Sequence, residues 1–356
     1  MEIEDMENHK SRDPDSTQPD NRASFGPRYV AGVDIGGTNL RIALADTAGR
    51  ILGKWTASTS ASRDPQIVVN LICEGLDRLL EEQRSSRDGL LAIAAGAPGV
   101  TDVDRGVVIA TSYLLGWRDV PLRGLLESAL GVPAVIDNDV NMAAVGEARA
   151  GVAQGVNNFV FLAVGTGLGA GIVINRQLFR GDTWTAGEIG YLLVPGTSVA
   201  PVELDQPGAL ESIVGGEGIR AQWRSRCGSA FTSAQADLNA TQIFDLALSH
   251  DPLAEEVLEL VSRTLAYAIC NITMILDCRF LVLGGSVGLH PALAQATRAH
   301  LAQRGAQFQV ELETSSLGAE AQITGAVFQA LEIAKHGATR KATAAVELIN
   351  GSANSG

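Results

Sequence analysis

The stretch DIGGTN, Asp34 to Asn39, decides how this chain is read, because it has a counterpart about 130 residues later in GTGLG, Gly165 to Gly169. Each follows a short apolar run, Tyr29 to Val33 and Phe159 to Val164, and so reads as a strand ending in a tight turn. Glycine lets backbone N–H groups approach phosphate oxygens with no Cβ in the way, and consecutive N–H groups form an anion-binding concavity. Thr38 and Thr166 add hydroxyl donors at matching offsets. A single glycine turn is usually only a hairpin, but two of them with carboxylates nearby point to a grip on one polyphosphate.

Outward from the first turn the pattern is strand (Leu40 to Asp46), strand (Ile51 to Thr56), amphipathic helix (Pro65 to about Arg84), and then short buried strands at Leu90 to Ala95 and Ala134 to Asp137. The order reads βββαβαβα. From Asn158 the plan recurs: Phe159 to Val164, Gly169 to Asn175 and Gln177 to Phe179 repeat the three strands, and long helical stretches such as Leu253 to Leu276 follow. Phe280 to Leu283 is one more buried strand, closed by Gly284 and Gly285, and a helix from about Pro291 to Gln303 comes next. The last helix, from Ile323 to Lys335 or beyond, is placed to cross back to the first half. Neither loop matches GxGxxG opening a helix in a βαβ unit, which excludes a dinucleotide-binding dehydrogenase.

The chain has 356 residues, 46% apolar, long enough for two packed domains. Its net charge of −13 argues against nucleic acid or an anionic membrane as partner. With no long uninterrupted apolar run and no signal-peptide pattern, a cytoplasmic location is expected. Cys73, Cys227, Cys270 and Cys278 are scattered, so they are read as reduced and structural. The domains expected are a disordered tail at 1–27, an N-terminal α/β domain at 28–138 completed by a C-terminal helix at 323–345, a C-terminal α/β domain at 139–322, and a second tail at 346–356. The N-terminal tail is too short and polar for a helix-turn-helix reader of DNA.

Between the loops, Asp137, Asn138, Asp139 and Asn141 stand at a strand end before an alanine-rich helix, Met142 to Ala150. One of them can simply cap that helix. Next to two phosphate turns, a carboxylate here is also suited to accept the proton of an alcohol and aim its oxygen at a γ-phosphate. The helix N-terminus is expected to lower its pKa. Asp34, directly before the first turn, suits Mg²⁺ through water. Glu188 in AGEIGY and Glu211 in PGALES can accept hydrogen bonds from adjacent hydroxyls of a polyol.

These residues resemble the ROK family of sugar kinases, within the actin-like, sugar kinase and Hsp70-like ATPase fold, over nearly everything from Tyr29 to about Ala334. DIGGTN is similar to the family's first phosphate motif, GAPG (Gly96 to Gly99) to its substrate-domain turn, NDVNMAAVGE (Asn138 to Glu147) to its catalytic segment, GTGLGAGI to its second phosphate motif, and LGGSV (Leu283 to Val287) to the segment bordering adenosine. The resemblance implies an α/β fold of two duplicated RNase H-like domains with the active site between them. It implies Asp139 as catalytic base, and Asn138, Glu188 and Glu211 on the sugar, joined by Gly99, Ser112 and Tyr191. It places Gly36, Gly37, Thr38, Asn39, Gly165, Thr166, Gly167 and Gly169 on the ATP phosphates, and Gly284 and Gly285 on the adenosine side.

ATP and Mg²⁺ are the implied cofactors and a homodimer the implied assembly. The expected reaction is phosphorylation of a hexose, glucose first, with N-acetylmannosamine, N-acetylglucosamine, allose or fructose as alternatives. A non-catalytic sugar-sensing regulator is the alternative of another class. The chain also departs from the pattern. GEIGY stands where the family commonly has GEIGH, and ELDQPGALE (Glu203 to Glu211) stands where it has CxCGxxGCxE, with Ala209 at the last cysteine position. No zinc is expected, and the loop is expected to be held by packing.

Overall fold

The computed structural model describes residues 26–59, 64–111, 113–114, 116–197, 199–200, 202–204, 206–227, 237–305 and 309–336. Ser112, nearly all of the N-terminal tail and everything after 336 lie outside the described residues.

Two five-stranded sheets share one topology. The first runs β3-β2-β1-β4-β8, built from β1 (Tyr29–Ile35), β2 (Asn39–Asp46), β3 (Ile51–Ser58), β4 (Leu90–Ala97) and β8 (Ala134–Asn138). The second runs β11-β10-β9-β12-β13, built from β9 (Phe159–Val164), β10 (Leu168–Ile174), β11 (Gln177–Phe179), β12 (Phe280–Gly284) and β13 (Glu311–Thr314). In each, the first three strands form an antiparallel meander and two parallel strands extend the sheet from the first strand. The repeat read from the glycine turns is therefore a repeat of the whole sheet.

A small third sheet was not anticipated. It joins β5 (Val100–Asp102), β6 (Val107–Ala110) and β7 (Arg118–Val120), and is inserted between β4 and the helix Leu122–Leu130. Its strands have three or four residues, too few to show an alternating pattern.

Several boundaries shift for local reasons. The helix Pro65–Glu82 starts where Asp64 accepts the Gln66 N–H with proline at the first position, and ends before Arg84, which has φ 54°. The helix after β8 is Asp139–Ala150 rather than Met142–Ala150, because Asn138 caps it and so draws Asp139 into its first turn. The long helix Pro252–Leu276 has the length and composition to cross a bilayer, but half of its apolar stretch is buried in this fold. Its Val257, Val261, Leu265 and Ile269 pack with Trp223, Phe244, Leu281 and Leu283 in the core of the second sheet.

Two helices lie between the sheets. The terminal helix, 321–336, lays Ile323, Ala326, Val327 and Ala330 against Val30, Ala43 and Ala94 of the first sheet. Asp139–Ala150 shares that cluster through Met142, while Ala143 and Ala144 pack on Phe159, Phe161 and Val173 of the second sheet. The two helices cross at glycines: a Cβ on Gly325 would overlap the Met142 carbonyl, and one on Gly146 the Ala321 carbonyl. This close crossing fixes the N-terminus of Asp139–Ala150, and with it Asp139, at the mouth between the sheets.

Candidate active site

That mouth is a cleft of about 730 Å³. Both glycine loops line it, as do Gly99, Asn138, Asp139, Glu188, Tyr191, Glu211 and Gly285. Gly284 does not: it lies within β12, where a Cβ would run into the Phe161 ring, and Gly285 with φ 83° makes the turn into the cleft. Ser286 and Leu289 extend the wall on that side.

The segment at the end of β8 is held by a network of side-chain bonds. Asn138 Oδ1 accepts the N–H groups of Val140 (2.8 Å) and Asn141 (3.2 Å), while Asn138 Nδ2 donates to the Gly99 carbonyl at 2.9 Å. An amide carries two N–H bonds, so one remains for a ligand. Asp137, only 2% exposed, accepts Asn141 Nδ2 and its neighbour's N–H on Oδ1, and Arg180 Nε and Nη2 on Oδ2 at 3.0 and 2.6 Å. Asn138 is thus the helix cap, which leaves Asp139 to face the cleft.

Asp139 Oδ1 accepts the Val140 N–H at 2.9 Å, the effect from which a lowered pKa was expected. The opposite holds: burial, followed by the charges of Asp34 and Glu188, pushes Asp139 up to about 7. Loss of water outweighs a partial charge at a helix end. Glu188 is also pushed up to about 7, by burial and by Glu211, and Glu211 is raised by burial. Glu211 Oε2 accepts the Leu168 N–H at 2.7 Å, which ties this acid to the second glycine loop.

Asp34 and Arg41 face each other across the β1–β2 hairpin. Arg41 Nε and Nη2 donate to Asp34 Oδ2 at 2.8 and 2.6 Å, and Arg41 also reaches the Ala319 carbonyl and Gln322 Oε1. Burial still raises the Asp34 carboxyl overall. A buried Asp34 whose charge disfavours ionisation of Asp139 in the same cleft makes a setting that suits a hard divalent cation. Among the described residues no three of His, Cys, Asp or Glu gather as a ligand set. A magnesium ion bound at this cleft would draw on Asp34 through water, with water and phosphate oxygens supplying the rest.

The Tyr191 hydroxyl reaches the loop that follows it. It donates to the Gln206 carbonyl at 2.9 Å, with the Glu203 carbonyl at 3.4 Å. The loop that was expected to rely on packing is thus also held by this tyrosine. Sequence reading missed Arg41, Arg180 and Tyr113. Arg41 was legible from strand register, seven residues from Asp34 across a short turn; Tyr113 and Arg180 reach the site only through the tertiary fold.

The model of the ROK family matches residues 30–333. A glucokinase of Halalkalibacterium halodurans is 31% identical over 314 residues, 84% of this chain and 93% of that protein. An N-acetylmannosamine kinase of Escherichia coli O1:K1 is 30% identical over 301 residues, 84% of this chain and 97% of that one. Among solved structures, a ROK family glucokinase from Streptomyces griseus in complex with glucose and AMPPNP superposes with a TM-score of 0.71 at 25% identity, covering 85% of this chain and 99% of its own. With both loops, the capped Asn138–Asp139 segment and three half-buried acids around one cleft, the chain belongs to the ROK family, as a carbohydrate kinase of the actin-like ATPase fold.

Proposed function

We propose that the protein transfers the γ-phosphoryl group of ATP to a hydroxyl of an unmodified hexose, glucose first. The observation that carries this is Asp139, half-buried in the cleft that both glycine loops line, with its carboxyl pushed up to about 7. A general base works best when its pKa lies near the operating pH, and in a loose phosphoryl-transfer transition state its main task is to aim the alcohol and take the proton late. Glu188, Glu211 and the free N–H of Asn138 hold neighbouring hydroxyls, and Gly99 positions Asn138 through its carbonyl. The loops at Gly36 to Asn39 and Gly165 to Gly169 cradle the phosphates, while Gly285, Ser286 and Leu289 border the adenosine.

Mg²⁺ held by Asp34 through water, with Asp139 close by, supplies charge neutralisation on the phosphates when bound. Arg41 orients Asp34 and favours its charged form against the effect of burial. The glucokinase relative favours glucose, and the N-acetylmannosamine kinase keeps a second sugar class in view. Purified protein with Mg-ATP and a panel of hexoses and N-acetylhexosamines should release ADP with at least one sugar. Asp139→Asn should reduce that turnover by about 10²–10⁴-fold while nucleotide binding persists. No ADP release with any sugar of the panel would sink the kinase reading in favour of a sugar sensor.

A further inference from the structure

Tyr113 touches both glycine loops. Its carbonyl lies where a Cβ on Gly37 would approach to 2.8 Å, and its hydroxyl lies where a Cβ on Gly167 would overlap it. The root of the residue is fixed by its N–H donating to Thr111 Oγ1 at 3.1 Å, and the tip by its hydroxyl donating to Glu211 Oε2 at 3.3 Å. Burial and the charges of Glu211, Asp139 and Glu188 hold its proton far above a phenol's ordinary range, so it is a neutral donor at any working pH. The ring therefore stands within the field of the same three acids that hold the sugar in the proposed function, on which this argument rests.

We propose that Tyr113 is the specificity residue of the sugar pocket, limiting the substituent beside the Glu211-bound hydroxyl to another hydroxyl and so rejecting N-acetylated hexosamines. Glu211 Oε2 already carries two donors, the Leu168 N–H and the phenol, whereas no bond from a described residue reaches Oε1. A substrate hydroxyl bound to Oε1 then sits beside the phenol on the same carboxylate. The group on the neighbouring sugar carbon must project along the tyrosine ring. A hydroxyl fits there and can trade hydrogen bonds with the phenol; an acetamido group adds an acetyl unit where the ring is. The ring cannot swing aside without losing the Glu211 contact and its seat over Gly167. Tyr113 is also only half-buried and faces the cleft, so shortening it leaves the hydrophobic cores intact.

The test compares wild type, Tyr113→Phe, Tyr113→Leu and Tyr113→Ala with glucose and N-acetylmannosamine. Two readouts are taken: kcat/KM for ADP release, and the dissociation constant of each sugar by calorimetry without ATP. Wild type and Tyr113→Phe should both favour glucose, because the ring alone excludes the acetamido group. Tyr113→Ala, and Tyr113→Leu to a smaller degree, should shift the ratio toward N-acetylmannosamine by about tenfold or more, the range expected for a size-based pocket. An unchanged ratio in both shortened variants, with folded protein by circular dichroism, overturns the inference, as does a wild type that prefers N-acetylmannosamine. If wild type binds glucose but turns over no sugar, the kinase reading fails. A binding ratio that still shifts in Tyr113→Ala would then uphold the role of Tyr113 on its own.

Discussion

The two hairpins that carry the glycine loops have the same place in the same topology, yet they are filled differently. In the first, pairing ends at Ile35 and Leu40, and the pair one step back is Asp34 with Arg41. In the second, pairing ends at Val164 and Leu168, and the pair one step back is Ala163 with Gly169. The first turn spans four residues and the second three. One hairpin thus plugs its base with an ion pair, and the other leaves its base small, with Ala163 and Gly169 forming wall of the cleft. Duplication supplied two equivalent scaffolds. In the proposed function the first serves as an electrostatic anchor for the donor's phosphates and their cation, while the second opens space and carries the acids Glu188 and Glu211 on the segments that follow it.

The sharpest way to break this contrast is to empty the first hairpin. Arg41→Met leaves the buried Asp34 carboxyl without its partner, and removing one member of such a pair costs about 3–5 kcal/mol. Asp34→Asn with Arg41→Met should recover part of that loss, because no buried charge remains. Urea melts of the three proteins measure it. If Arg41→Met alone costs less than about 1 kcal/mol, the pair behaves as a solvated surface pair and the two hairpins are interchangeable supports.

A smaller effect separates the acids by pH. The Asp139 carboxyl is raised on folding, so the stability tied to its protonated form is full below the unfolded carboxylate value near 4 and is lost as pH rises through about 7. Asp139→Asn has no proton to lose. It should gain on wild type as pH goes from 4 to 8, by on the order of 2 kcal/mol, read as a rise in melting temperature that vanishes at pH 4. Activity moves the other way. With Asp139 as base, kcat/KM of wild type should fall roughly tenfold per pH unit below about 7. Glu188 titrates in the same range beside it, so the apparent value belongs to the cluster. A profile flat down to pH 5 would mean that the base is not a raised carboxyl.

What could be read from the chain alone follows from what is local. Glycine turns between apolar runs located both hairpins, and the strand-end position of Asn138 and Asp139 placed them beside the loops. The sign of the Asp139 shift was not local: burial between two sheets set it, and the helix end that suggested the reverse is the weaker influence. The three-stranded insertion escaped because its strands are shorter than one alternation pattern. Tyr113 escaped because its meaning lies in reaching Gly37, Gly167 and Glu211 at once, which no spacing encodes. Arg180 likewise matters only through Asp137, 43 residues away in sequence.

The second half has one more device with no counterpart in the first, and it predicts the smallest effect. After Glu188 the chain makes a single turn to Tyr191, whose hydroxyl holds the Gln206 carbonyl, while the Leu210 N–H returns to the Gly190 carbonyl at 2.9 Å. These two bonds fasten the segment that delivers Glu211, so in the proposed function the tyrosine serves the sugar site by holding a loop. Tyr191→Phe removes one bond and keeps the ring, which should loosen the segment by about 1 kcal/mol. Amide exchange at Gln206 and Leu210 should quicken by about fivefold, and the KM for sugar should rise modestly with kcat unchanged, since Glu211 is then less well placed but still present. Unchanged exchange with a large loss of sugar affinity would reverse the assignment. The hydroxyl would then be a direct sugar ligand that turns inward on binding, and the loop would rest on packing after all.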